Sequence, residues 1–284
     1  MPLQITKIEW CTHTWNPVTG CYHDCPYCYA RGIARRFGGH YIAARGENDY
    51  PAVNRIHMVD EVRADGSKIR HHQPFVRCVR DEQIMTKAGT LKKAPYPYGF
   101  IPTLHEGRLN DPARHKQPAI VFVGSMCDLF GEWVPDNWIE QVFEACAAAP
   151  QHKYLFLTKN PERYEALATA GLLPDAENMY FGSTITTPDD AHYYGGLHTS
   201  RKRFLSIEPV LAEFEPMGRL WTDWVIVGAE TGKRKGLIVP KRRWINNICE
   251  QADFAGVPVF MKESLVPIMG EGNMRREWPA ELRR

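Results

Sequence analysis

Cys21, Cys25 and Cys28 stand in the run CYHDCPYC, a C-x3-C-x2-C triad near the start of a 284-residue chain. Three thiolates this close can hold three corners of a metal cluster and leave the fourth open. A structural zinc site closes with four ligands, and ferredoxin-type iron–sulfur clusters are held by four cysteines. With no fourth ligand beside it, the triad points to a [4Fe–4S] cubane whose last iron binds something other than protein. The competing assignment is a zinc-binding, nucleic-acid-associated protein in which His23, Cys11 or a distant cysteine closes a structural site. Cys78, Cys127, Cys146 and Cys249 are scattered singly and read as reduced core thiols. Disulfides would need an oxidising compartment.

The elements that must carry the triad have a clear rhythm. A short strand over about His13 to Pro17 leads into it, and a helix over Tyr29–Phe37 follows. From residue 119 onward, apolar runs recur: AIVFVGSM (119–126), YLFLTKNP (154–161), MYFGSTIT (179–186), RFLSIEPV (203–210), WVIVGAETG (224–232) and VPVFMKES (257–264). Runs that are apolar throughout are expected of parallel strands covered on both faces. Helical spacing lies between them, over Asp136–Ala149, Pro161–Ala170 and Trp244–Ala255, the last ended by Gly256. Strands alternating with helices give βαβ units, and right-handed crossovers curl such a sheet. The expected fold is α/β, a partial (β/α)6-7 TIM-like barrel. Each run turns polar at its end: Ser125, Cys127 and Asp128; Thr158 and Lys159; Ser183 and Thr184; Ser206 and Glu208; Glu230; Lys262 and Glu263. In α/β barrels chemistry sits at that rim.

Residues 39–118 interrupt the rhythm. IHMVDEV and PFVRCVRDEQIM read as two strands flanking the turn RADGSK, and KAPYPYGFIP (93–102) reads as irregular. The expected organisation is one domain: a first βα unit with the cluster loop over 1–38, a small β-rich insert or lid over 39–118, and the remaining units over 119–284.

The triad with Tyr27 before its last cysteine resembles the signature of the radical S-adenosylmethionine (SAM) superfamily. Within it, EWCTHTWNPVTGC, VFVGSMCDLFGEWVP, LTKNPER, FLSIEPV and DWVIVGAETG look like segments of spore photoproduct lyase and its largely uncharacterised phage-borne relatives. The resemblance implies a [4Fe–4S] cluster on Cys21, Cys25 and Cys28 and SAM on the open iron. Tyr27 would then lie along the adenine. SAM would be held by Ser125, Lys159 and Ser183, with Glu208 or Glu230 on the ribose or α-ammonium, and Asp128 as a further contact or a helix cap. Cys127 would be a hydrogen donor in the manner of the lyase. The Gly-Gly-Glu run that many members use for the ammonium group is absent. An external electron donor of flavodoxin or ferredoxin type is also implied.

The formal net charge is +2, which by itself demands no polyanionic partner. Basic residues nevertheless cluster at 201–203, 233–235 and 241–243, beyond strand ends. Together with the lyase likeness they put a nucleic acid or nucleotide among the expected substrate classes, beside a protein or a small metabolite. No run approaches the roughly 18 apolar residues needed to span a bilayer. The N-terminus lacks a secretory pattern, so the expected location is cytoplasmic.

Overall fold

The structure is a computed structural model that describes residues 3–38, 56–62, 68–74, 76–79, 83–85, 90–190, 201–214 and 220–283. Its strands are β1 (Gln4–Ile5), β2 (His13–Trp15), β3 (Val18–Thr19), β4 (Ile56–Val62), β5 (Lys68–Pro74), β6 (Arg77–Val79), β7 (Gln83–Met85), β8 (Leu91–Lys93), β9 (Thr103–His105), β10 (Ile120–Val123), β11 (Lys153–Thr158), β12 (Met179–Thr184), β13 (Lys202–Ile207), β14 (Val225–Val227) and β15 (Val259–Met261). The helices are α1 (Tyr29–Phe37), α2 (Asp111–Arg114), α3 (Asp136–Ala147), α4 (Glu162–Thr169), α5 (Arg242–Ala255) and α6 (Val266–Met269).

Eight strands form one mixed but mostly parallel sheet, in the order β1-β2-β10-β11-β12-β13-β14-β15. Only the edge strand β1 runs antiparallel, against β2. The expected α/β class and parallel strands are therefore present. The insert region contributes smaller sheets. β9 pairs with β3 antiparallel and with β6 parallel, and β7 pairs with β8. The hairpin differs from expectation. β4 pairs with β5, Ile56 opposite Pro74 and Val62 opposite Lys68, while the 74–85 run supplies β6 and β7 elsewhere. A tight hairpin takes as its second strand the residues directly after the turn, and here that strand is the polar run KIRHHQP, which carries no apolar signal. The turn itself, 63–67, lies outside the described residues.

Strand alternation divides the core into two sides. One side holds Ile120, Phe122, Leu155, Tyr180, Phe204, Trp224, Ile226 and Phe260, all in one continuous cluster with Trp10 and Cys11. The opposite side is covered by helices and splits in two. Val121, Val123, Tyr154, Phe156, Met179 and Phe181 pack against α3 and α4 residues such as Ile139, Val142 and Leu167. Leu205, Val225, Val227 and Val259 pack against Ile245, Ile248 and Ala252 of α5. α5 ends as the sequence predicts, on Gly256 in the left-handed conformation (φ 69°).

The segment before β2 reaches across this sheet. Trp10 lies 4.6 Å from the Phe122 ring on β10 and 6.1 Å from the Phe204 ring on β13, centroid to centroid. The Glu9 carboxylate accepts from Glu263 N–H at 2.8 Å and from Arg276 Nη1 at 2.6 Å, just beyond β15.

Near the amino ends of three adjacent strands, His13, His115 and His152 pack with tilted rings, centroids 4.8 and 5.6 Å apart. Burial first, then the charges of His115 and His152, hold His13 below its ordinary value. Burial also holds His152 down, against the raising effect of the Pro112 carbonyl. Both rings prefer to be neutral when folded. Above the unfolded value of 6.5, neither state binds the protons and this contribution is constant. Below it the unfolded chain takes them up first and stability falls. Urea midpoints should therefore be lower at pH 5 than at pH 7.5, and His115→Gln should make the decline shallower. An unchanged pH dependence in that variant would remove the triad as its source.

Candidate functional site

The cysteine loop begins at a glycine that no other residue can replace without rearrangement. Gly20 has φ 89°, and a Cβ there would stand 2.3 Å from the Ile101 carbonyl oxygen. The close approach lets Gly20 N–H bond Met126 O at 2.9 Å and Cys21 N–H bond Phe100 O at 3.2 Å. The loop ends at Cys28, the N-cap of α1, whose Sγ accepts from Arg31 N–H at 3.4 Å.

Loop and sheet are linked by Asp128, which is 5% exposed. Its Oδ2 accepts from His23 Nε2 at 2.7 Å and Lys159 N–H at 2.8 Å. Its Oδ1 accepts from Thr158 Oγ1 at 2.7 Å and Phe130 N–H at 3.1 Å. Burial pushes this carboxyl up, but the bond and charge of His23, helped by Lys159 N–H and Thr158, outweigh it and hold the group below its ordinary value.

The three thiols feel one another. Cys21 is pushed up to about 12 by burial, then by Asp128, Cys25 and Cys28. Burial also raises Cys25, opposed by the charge of Lys159. Burial first, then the charge of Cys25, raises the Tyr27 hydroxyl, with Thr186 opposing them. Its ring carries Lys159 Nζ 5.6 Å from the centroid. Cys25, Tyr27 and Lys159 are thus brought together. Among the described residues no three His, Cys, Asp or Glu side chains are grouped tightly enough to hold a metal ion as they stand.

Beyond the aromatic layer, alternation puts Lys159, Thr184, Ser206, Glu208 and Lys262 on the same side of the sheet as Phe204 and Phe260. Glu208 and Lys262 form an ion pair between the ends of β13 and β15. The pair lies over Gly228, where a Cβ would meet Lys262 Cδ at 3.1 Å and Glu208 Cγ at 3.2 Å. Glu230 has a fully buried side chain, with Oε1 held by Arg234 Nε at 2.5 Å. Its Oε2 is buried and meets no donor. Ser125 Oγ exchanges hydrogen bonds with the Asn16 amide at 3.1 and 3.2 Å, and its carbonyl accepts from the Tyr29 hydroxyl at 2.8 Å.

Two expected residues stand apart from this layer. Ser183 shares its face of β12 with Met179 and Phe181, on the helix side, whereas its neighbour Thr184 shares the face of Tyr180. Cys127 packs with Cys21 against the helix-side core, and burial, Asp128 and Cys21 push its thiol well up. Sequence reading did not foresee the bonds of Asn16 to Ser125 and of His23 to Asp128, nor the pairing of Glu208 with Lys262. Gly228, directly after β14, was the one available signal that bulky groups meet above it.

Fold and site together define an α/β protein that carries a three-cysteine loop at the carboxyl edge of a mostly parallel sheet. The chain belongs to a family described as a protein of unknown function (DUF5131), whose model matches residues 5–75 and 76–267. No curated protein and no solved structure matches it. No helix among the described residues is long and apolar enough to cross a membrane.

Proposed function

We propose that this chain is a radical SAM enzyme of the reducing cytoplasm, with Cys21, Cys25 and Cys28 as ligands of a [4Fe–4S] cluster. The observation that carries the reading is the meeting of Cys25, Tyr27 and Lys159 above the ends of parallel strands. The donor chemistry fits. Three soft thiols share one short loop, and burial first, then the charges of Asp128, Cys25 and Cys28, raise Cys21. A bound cation reverses that penalty, because metal ligation deprotonates thiols. Glu230 Oε2, buried without a donor, fits a ligand ammonium or hydroxyl, since buried acceptors are almost always paired.

The sheet is proposed to curl into a partial barrel. Trp10 touches rings on β10 and β13, strands three positions apart, which a flat sheet would separate by about 14 Å. Glu9 ties the chain before β2 to the chain after β15, as closure requires.

A cluster held by Cys21, Cys25 and Cys28 would supply one-electron reduction of SAM, fed by an external flavodoxin- or ferredoxin-type donor, and so the means to take a hydrogen atom from a substrate. The chain's own residues bind and orient. Lys159 offers a cation for the methionyl carboxylate, and Tyr27 supplies an aromatic face beside it. Ser125, braced by Asn16, offers its hydroxyl. Thr184 takes the place expected of Ser183, because it shares the face of the polar layer. The Glu208–Lys262 pair and Glu230 complete the polar wall. Cys127, packed with Cys21 against the helix-side core, is proposed to serve packing rather than hydrogen return. The test is anaerobic reconstitution with iron and sulfide, then dithionite and SAM, with 5′-deoxyadenosine read by mass spectrometry. Its formation supports the reading. A colourless, zinc-loaded protein that leaves SAM intact overturns it.

We extend the proposal to a nucleic-acid substrate. Residues 233–243 after β14 hold Lys233, Arg234, Lys235, Lys241, Arg242 and Arg243 without an acidic residue. Arg234 and Arg243 are tied to Glu230 and Glu213, while Lys233, Lys235 and Arg242 are exposed. Lys233→Ala with Lys235→Ala should weaken duplex DNA binding and lower its log–log salt slope by about 2. Fluorescence anisotropy over a salt series measures this, and an unaltered slope would exclude the loop from phosphate contact.

A further inference from the structure

We infer that His23 and Asp128 form a clamp that holds the cysteine loop and Lys159 in one register, and that Asp128 is a positioning residue rather than a cofactor contact. The inference rests on reading the three cysteines as cluster ligands for its consequence, but not for its geometry.

A carboxylate has about four lone-pair sites. Asp128 fills them with His23, Lys159 N–H, Thr158 and Phe130 N–H, at 2.7 to 3.1 Å. No acceptor site is left for a ligand. Its four donors come from three places: the loop between Cys21 and Cys25, the end of β11, and its own turn after β10. One buried group therefore sets the cysteine loop against the strand end from which Lys159 projects. The imidazole is also braced from the side. The Trp133 ring meets it edge-on at 4.9 Å and meets Tyr22 at 5.5 Å. Gly20 and Cys28 fasten the two ends of the loop, and the His23–Asp128 bond fastens its middle. Ligands on a loop keep their geometry only when neighbouring groups fix them.

The His23 side chain is 22% exposed, so trimming it should spare the fold. The Asp128 side chain is 7% exposed, and its loss would strand several donors, so His23 carries the test. The readout is alkylation of apo-protein by iodoacetamide, resolved residue by residue by mass spectrometry. Exposed Cys78 and buried Cys146 serve as internal references. His23→Ala should raise the labelling rates of Cys21 and Cys25 about tenfold, the factor expected from losing one charge-assisted hydrogen bond. His23→Gln, whose amide can still donate to Asp128, should restore most of the protection. The thermal midpoint should stay unchanged in both. Iron bound per chain after reconstitution should fall in His23→Ala and recover in His23→Gln. Unchanged labelling of Cys21 and Cys25 in His23→Ala would overturn the clamp. So would a lowered midpoint that His23→Gln does not recover. If wild type takes up no iron yet the labelling pattern holds, the clamp stands and the cluster assignment falls.

Discussion

Cys25→Ala should reduce bound iron and sulfide to background and abolish 5′-deoxyadenosine formation, while the protein stays folded. Cys25 is partly buried on a loop that is pinned at both ends by other residues, so its removal costs little packing. It is also the thiol that feels the charge of Lys159 and stands two residues from Tyr27, whose ring carries Lys159 Nζ, which places it at the centre of the proposed site. Cys146→Ala is the contrast. That thiol is fully buried in α3 among the helix-side core. Its loss should cost about 1 kcal/mol of stability and leave iron uptake intact. Iron analysis and product detection on both variants decide the matter. Equal uptake in Cys25→Ala and wild type would mean that the triad does not hold a cluster.

Gly20→Ala should damage both the fold and the cysteine loop. The backbone there is left-handed at φ 89°, and the new carbon would stand 2.3 Å from Ile101 O and 2.7 Å from Phe100 O. Left-handed backbone costs an L-residue about 1–2 kcal/mol, and carbonyl oxygens held by backbone cannot swing aside as a side-chain tip can. A total loss of about 3 kcal/mol is expected, read as a lower urea midpoint. Because Cys21 follows directly and bonds Phe100 O, iron uptake should fall as well. Normal stability with normal uptake would show that residues 100–101 yield readily and that the loop is not set by this contact.

Much of the frame was legible because buried parallel strands advertise themselves as unbroken apolar runs. The same property hides which face a residue takes. In MYFGST both faces are covered, so no alternation separates Ser183 from Thr184, and only the packed neighbours of Tyr180 and Phe181 do. Asp128 shows a second limit. A carboxylate after a strand reads as a contact or a cap, and its four donors lie 2, 30, 31 and 105 residues away in the chain. No local pattern encodes such a convergence. The Glu208–Lys262 pair, 54 residues apart, is hidden for the same reason. The hairpin strand Lys68–Pro74 went unread because its residues are polar and basic, and it declares itself only by pairing.

The reach of Glu9 sets an order of assembly. Its partner Arg276 lies 267 residues further along the chain, so during synthesis the Glu9 carboxylate waits for those residues before this contact exists. Such long-range closure is slow, because the entropy of bringing distant segments together is spent before the contacts reward it. The triad is complete by Cys28, whereas the last strand ends at Met261. A nascent chain therefore presents its three thiols long before the sheet behind them is finished. If the triad holds the proposed cluster, metal delivery and oxidative damage compete for the same thiols in that interval, and production under iron-replete, oxygen-poor conditions should favour the folded, loaded form.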